Sequence, residues 1–251
     1  MHPHPLPMDP HAVLLKRVAG ESECDVGIDT YRSAVGSLQY LVNTRPDLAF
    51  AVGVVARHVS APSQVHWDAV RTIFRYVRGT QEYGLYYPAR SSTVLSAMCD
   101  ADWAGDRDDR RSTSGYACFL GDSLISFASK KQTSVALSTC EAEYVAAGAC
   151  VQELLWLRQL LLGLRVAQHS TDLRIDNTSA IAFTHNPITN PKSKHIDIRH
   201  HFIRSSVSDG SIAPRYVPSA ENTADLFTKA LPKPAFFKHR AAAGVRLPVL
   251  G

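Results

Sequence analysis

Residues 138–163 read STCEAEYVAAGACVQELLWLRQLLLG, and the fold turns on this stretch. Ser138 and Glu141 form a Ser-x-x-Glu capping box at the entrance of a helix running from about Thr139 to Leu162, closed by Gly163. Glu143 lies two residues further on, rotated by roughly 200° around the helix axis. It therefore falls in line with Ala146, Ala147, Cys150, Leu154, Leu157 and Leu161, the apolar stripe. A carboxylate heading a buried face needs a compensating partner: a basic residue, protons shared with other acids, or a bound cation. Arg158 and Gln159 interrupt the apolar run Leu154–Leu164, so it reads as a buried helix and not as a membrane span.

On the N-terminal side of this helix, strand-like segments fall at Val94–Cys99, Gly115–Leu120 and Leu124–Ser129, separated by turn residues as in an antiparallel meander. On its C-terminal side come a short strand at Leu173–Ile175, a helix from Asn177, a helix near His195–Ser206, a strand at Ile212–Val217 and a helix from Ser219. A meander, a crossover helix and further strands and helices predict a mixed sheet with helices packed on it, an α/β arrangement whose sites gather at strand ends.

Acids stand at several of those ends. Asp100 closes the first strand, Asp176 closes the fourth, and Asp225 is near the start of the last helix. Each has a plainer reading. Asp176 or its neighbour Asn177 caps the following helix, and a helix dipole favours Asp225 in a first turn. Asp100 and Asp102 share a face if the strand continues through both, so spacing alone leaves open which one looks into a site. Most acids of CDADWAGDRDDRR (99–111) read as a solvated turn. If the acids converge, hard oxygen ligands call for Mg²⁺ or Mn²⁺.

Upstream, residues 1–30 carry prolines and lack periodicity, which predicts an extended leader, and its start, MHPHPLPMDPH, has no secretory signal pattern. Three helices are expected over 31–80, with Pro46 in the first turn of the second. The third carries Trp67, Val70, Phe74 and Val77 on one face. Its Arg71, Arg75 and Arg78 form a basic stripe, either a phosphate-tracking surface or a solvated face.

Composition narrows the function classes. A 45% apolar and 20% charged chain of 251 residues is an ordinary globular sequence, with room for two units. A net charge of +4 is compatible with nucleic acid without demanding it. The 5 cysteines include no C-x-x-C pair, which argues against a disulfide framework or zinc ribbon and for a reducing compartment.

The runs YRSAVGSLQYL (31–41), NTRPDLAFAV (43–52), DADWAGDRDDRRSTSGYACFLG (100–121), SFASKKQTSVALSTCEAEYVA (126–146), DNTSAI (176–181), KHIDIRHHFIR (194–204) and ADLFTKAL (224–231) resemble the end of a copia-type retrotransposon Pol polyprotein. The resemblance spans about Leu6 to Leu231 and implies a ribonuclease H-like mixed five-stranded sheet flanked by helices, preceded by a small helical unit. It divides the chain into the leader, a reverse transcriptase thumb- or connection-like segment at 31–90, a ribonuclease H-like domain at 91–235 and a tail at 236–251. Carried over position by position, the four active acids are Asp100, Glu143, Asp176 and Asp225, holding two Mg²⁺ or Mn²⁺ ions. The implied activity is hydrolysis of the RNA strand of an RNA/DNA hybrid.

With that resemblance, Arg71, Arg75 and Arg78 gain weight as phosphate contacts. Trp103, Lys130 and Lys131 become candidates for positioning strands, beside their plainer readings as core packing and surface charge. In KHIDIRHHFIR, Lys194 and Arg199 are candidate phosphate ligands, and packing is favoured over a histidine metal site. Expected partners are the hybrid and an upstream polymerase palm, with no membrane and no small-molecule cofactor. The expected location is intracellular, cytoplasmic in particles or nuclear, and not secreted. No Y-x-D-D motif occurs, so DNA synthesis by this chain alone is not expected, and VPSAENTAD (217–225) offers no histidine before the last acid. A co-opted fragment that binds nucleic acid without cleaving it, and a DNA-directed nuclease on the same fold, are the competing readings.

Overall fold

The computed structural model describes residues 2–18, 20–21, 23–185 and 202–248. Its centre is a five-stranded sheet in the order β4-β3-β2-β5-β6. The strands are β2 (Leu95–Asp102), β3 (Thr113–Leu120), β4 (Ser123–Lys131), β5 (Thr171–Ile175) and β6 (Ile212–Tyr216). The first three form the antiparallel meander, while β5 runs parallel to both β2 and β6. The mixed sheet expected from the sequence is thus present, with helices on both of its faces.

Strand alternation sorts the side chains. Leu95, Ala97 and Cys99 of β2, Cys118 of β3 and Leu173 and Ile175 of β5 bury against α4 (Thr139–Gly163), with Ala180 of α5 (Thr178–His185) and Ile203 of α6, described over 202–208. The buried residues of α4 include Ala146, Ala147, Cys150, Leu154, Leu157 and Leu161, the stripe read from the sequence. By length and composition alone α4 is apolar enough to cross a membrane; here that stripe lies against the sheet.

The opposite face presents Ala117, Phe119 and Leu124 to the helical unit α1 (Ile28–Val42), α2 (Ala49–Ala56) and α3 (Gln64–Gly79). Leu226, Phe227, Leu231 and Phe236 complete that core. Within it Arg45 and Asp47 form a buried two-pronged ion pair at 2.9 and 2.7 Å. The Tyr76 hydroxyl donates to Asp47 at 2.5 Å, and Arg45 donates to the Thr80 carbonyl at 2.9 Å. A charged pair this deep holds because nearly every donor and acceptor is matched.

Three segments differ from the sequence expectation. β2 runs on to Asp102, because its antiparallel pairing continues through Asp102↔Thr113. The helix expected from Ser219 is instead two 3-10 turns, Ser219–Glu221 and Thr223–Phe227, since Asn222 caps the second by accepting the Ala224 N–H at 3.2 Å. Beyond them, α7 (Lys233–Ala242) lies partly in the stretch read as a tail. After it, β7 (Val245–Arg246) pairs with β1 (Gly84–Leu85). The leader is extended yet packed: Leu6 and Met8 are buried, and the His4 N–H donates to the Arg75 carbonyl at 3.2 Å.

Candidate active site

Four chain segments meet at one end of the sheet. Asp100, on β2, and Asp176, just after the adjacent parallel strand β5, reach the same end because both strands point that way. Asn177 takes the helix-capping task, its Oδ1 accepting the Ala180 N–H at 3.0 Å, which frees Asp176. Asp225 arrives on the second 3-10 turn, which Asn222 fastens to β2 by donating to the Cys99 carbonyl at 2.9 Å. One oxygen from each of Asp100, Asp176 and Asp225 lies within 4.8 Å of the others.

Glu143 comes from the α4 side. Ser138 accepts the Glu141 N–H at 3.1 Å and Glu141 returns to the Leu137 N–H at 2.8 Å, so the capping role falls to Glu141 as the spacing predicts. Glu143 is only 7% exposed, and its Oε2 is buried without a hydrogen-bond partner. Burial first, then the charges of Asp100 and Asp176, push its carboxyl up to about 9, against the opposing Ala101 N–H and Lys229. Burial and Asp100 likewise push Asp225 up to about 7 while Lys229 pulls it down. Asp100 and Asp102 do share a face, as alternation requires, but Asp100 is buried in the cluster whereas Asp102 lines a neighbouring cavity.

Three residues that the sequence reading passed over complete the site. The Thr228 hydroxyl donates to Asp100 Oδ2. Lys229 Nζ lies 2.8 Å from Asp225 Oδ1 and 3.6 Å from Asp100 Oδ2. Gly115 stands opposite Asp100 in the β2–β3 register. Only Lys229 left a usable signal, its four-residue spacing from Asp225. A crowded pocket of acids with an orphaned carboxylate oxygen and hard donors only is a fit for divalent cations.

The nucleic-acid candidates are more dispersed. Arg71 pairs with Asp68 at 3.3 Å and Arg75 donates to the His2 carbonyl at 2.8 Å, so both are already engaged within the chain. Arg78 is exposed. Trp103 is 42% exposed, its indole N–H tied to the Ala136 carbonyl at 3.0 Å, and Lys130 is exposed. Lys131 is held by Asp106 at 2.5 Å and Asp109 at 2.9 Å. Asp106 also takes Arg57 at 3.1 Å and the Asp108 N–H at 3.0 Å; against the upward push of burial, Lys131 and the backbone N–H groups of Asp108 and Asp109 hold it down to about 2. The acidic turn is therefore an organised charge network, which corrects its reading as mostly solvated. Lys194 and Arg199 lie outside the described residues.

The sheet order, with carboxylates on adjacent parallel strands, on the crossover helix and on the last turn, defines a ribonuclease H-like protein. Among known sequences, the chain is 44% identical over 207 residues to the retrovirus-related Pol polyprotein of transposon TNT 1-94 from Nicotiana tabacum, covering 82% of this chain and 16% of the relative. It is 40% identical over 217 residues to that of transposon RE2 from Arabidopsis thaliana, covering 86% and 15%. Over most of its length the chain is thus similar to the Pol polyproteins of plant copia-type retrotransposons. It spans about one sixth of the length of these relatives. No family model matches it. Among solved structures, a ribonuclease H domain from Mycobacterium tuberculosis matches with a TM-score of 0.42 and 14% identity, over 61% of this chain and 99% of that one.

Proposed function

We propose that this chain is a divalent-metal-dependent endonuclease that hydrolyses the RNA strand of RNA/DNA hybrids, as part of a retrotransposon reverse transcriptase and ribonuclease H. The observation that carries the reading is the meeting of Asp100, Asp176 and Asp225 within 4.8 Å beside the unpartnered Glu143 Oε2. These four carboxylates would hold two Mg²⁺ or Mn²⁺ ions. When bound, the ions supply activation of water and neutralisation of charge on the leaving 3′ oxygen.

The chain's own groups set the geometry. Thr228 and Lys229 hold Asp100, the Asn222 bridge to Cys99 holds the turn that bears Asp225, and the Ala101 N–H steadies Glu143. Trp103 and Lys130 are exposed and available to a nucleic-acid strand through stacking and phosphate contact, with selection of RNA resting on contacts to 2′-hydroxyls. Lys131 enters this reading less directly, since Asp106 and Asp109 already neutralise it.

The test is cleavage of an end-labelled hybrid by the purified chain in Mg²⁺. Cutting of the RNA strand is expected in the wild type and its loss in an Asp100→Asn variant that stays folded by circular dichroism. Equal cutting by the variant removes the proposal. Hybrid binding in EDTA without any cutting in Mg²⁺ supports the co-opted binder instead, and preferential cutting of duplex DNA supports the DNA-directed nuclease.

A further inference from the structure

A tethered cation already sits among the acids. Lys229 Nζ lies 2.8 Å from Asp225 Oδ1 and 3.6 Å from Asp100 Oδ2, in contact with two of the three acids whose oxygens converge. An ammonium at that place gives both carboxylates the neutralisation that a divalent ion would give, so lysine and ion compete for the same oxygens. The side chain is 38% exposed. It also lines a cavity of about 330 Å³ whose wall includes Asp102, Arg57, His58 and Asp106. Asp102 stands two residues beyond Asp100 on the same strand face, about 7 Å along β2. It offers the displaced ammonium a second carboxylate.

We infer that Lys229 is a built-in counter-ion that controls cation occupancy of the Asp100–Asp225 seat, moving toward Asp102 in the cavity when a divalent ion takes its place. The inference rests on the metal-site reading above and deepens it. With Lys229 in place the metal-free acids are partly neutralised and the site tolerates emptiness. The entering ion must then displace a like charge, which weakens its binding and eases its departure after a reaction cycle.

The probe is Mn²⁺ alone, its binding to the full chain at pH 8 followed by electron paramagnetic resonance of the free ion and by calorimetry. Lys229→Met is expected to tighten Mn²⁺ binding by about tenfold or more, since one unit of like charge leaves the seat. It should also lower the melting temperature of the metal-free protein, whereas Lys229→Arg, which keeps the charge, should leave Mn²⁺ affinity within about twofold of wild type. Asp102→Asn should weaken Mn²⁺ binding in the wild type by more than in the Lys229→Met background, because only the former uses the second carboxylate. If Lys229→Met does not fold, Lys229→Gln takes its place with the same expected tightening. Unchanged or weaker Mn²⁺ binding by a folded charge-removing variant overturns the inference while leaving the metal site standing. No Mn²⁺ binding by wild type or variants overturns the metal-site reading itself, and this inference with it.

Discussion

Gly115 faces Asp100 across the β2–β3 ladder, and the space left by its absent side chain is filled by Thr228, which holds that same aspartate. A Cβ on Gly115 would come within 2.7 Å of Thr228 Cγ2, 2.8 Å of Phe227 Cβ and 3.1 Å of the Ala224 carbonyl oxygen. The close approach of the turn to the sheet, and so the position of Asp225, depends on a glycine there. Gly115→Ala is expected to cost about 1–3 kcal/mol by overpacking. It should also weaken Mn²⁺ binding, because the turn is pushed off β2. Urea unfolding together with Mn²⁺ titration checks both effects; a variant with wild-type stability and affinity contradicts this account of the turn.

Glu143 yields a pH prediction for the metal-free protein. Its folded carboxyl, raised to about 9 chiefly by burial and then by Asp100 and Asp176, binds a proton more readily than in the unfolded chain, where its value is the ordinary 4.5. Between those limits the native state holds more protons, so stability falls as pH rises through the window. Glu143→Gln removes the penalty. In EDTA at pH 8.5 it should melt higher than wild type by about 5 °C or more, and the gain should vanish near pH 4.5. Added Mg²⁺ should stabilise wild type above the variant. Melting curves over pH, with and without the ion, decide this.

His58 and His66 stack at 3.8 Å, and His66 is held as a neutral ring: Nδ1 accepts the Ser63 N–H at 2.9 Å while Nε2 donates to the Leu15 carbonyl at 2.8 Å. Burial, and then His66, push His58 down to about 4, and burial lowers His66 as well. Here the unfolded chain binds more protons between about 4 and 6.5, so this stability is present above 6.5 and is lost as pH falls toward 4. His58→Phe should flatten that acid limb of the melting-temperature profile. An unchanged slope argues that the pair does not govern it.

Asp47 is buried and takes Arg45 and Tyr76 together. Asp47→Ala strands a buried guanidinium and is expected to destabilise by about 3–5 kcal/mol. Replacing Asp47 and Arg45 together by apolar residues should cost less than the single change. Guanidinium denaturation of both variants distinguishes an ion pair that matters through desolvation from one that adds little.

How much of this could be read from the chain depends on the range of the interaction involved. The long helix, its cap and the burial of Glu143 follow from periods of three to four residues, and the meander from alternation, so both were legible. Asn177 and Asp176 were equivalent as caps in the sequence; only the folded backbone, with Asn177 Oδ1 on the Ala180 N–H, released Asp176 to the site. The extension of β2 to Asp102 was hidden because it depends on pairing with Thr113 on another strand. Asp106 looked like one more solvated acid, since its partners Arg57 and Lys131 lie far from it in sequence.

By itself, then, the sequence determined most local elements and that Glu143 is turned inward on its helix, because capping and amphipathic spacing act within a few residues along one segment. Tertiary structure alone decided that Asp100, Asp176 and Asp225 converge and that Glu143 heads toward them from α4. It alone put Lys229 between two of the acids and made Gly115 the reason the turn can approach. Those outcomes depend on contacts between segments distant in the chain, some of them more than 100 residues apart, such as the Thr228–Asp100 and Asn222–Cys99 contacts, which no local pattern encodes.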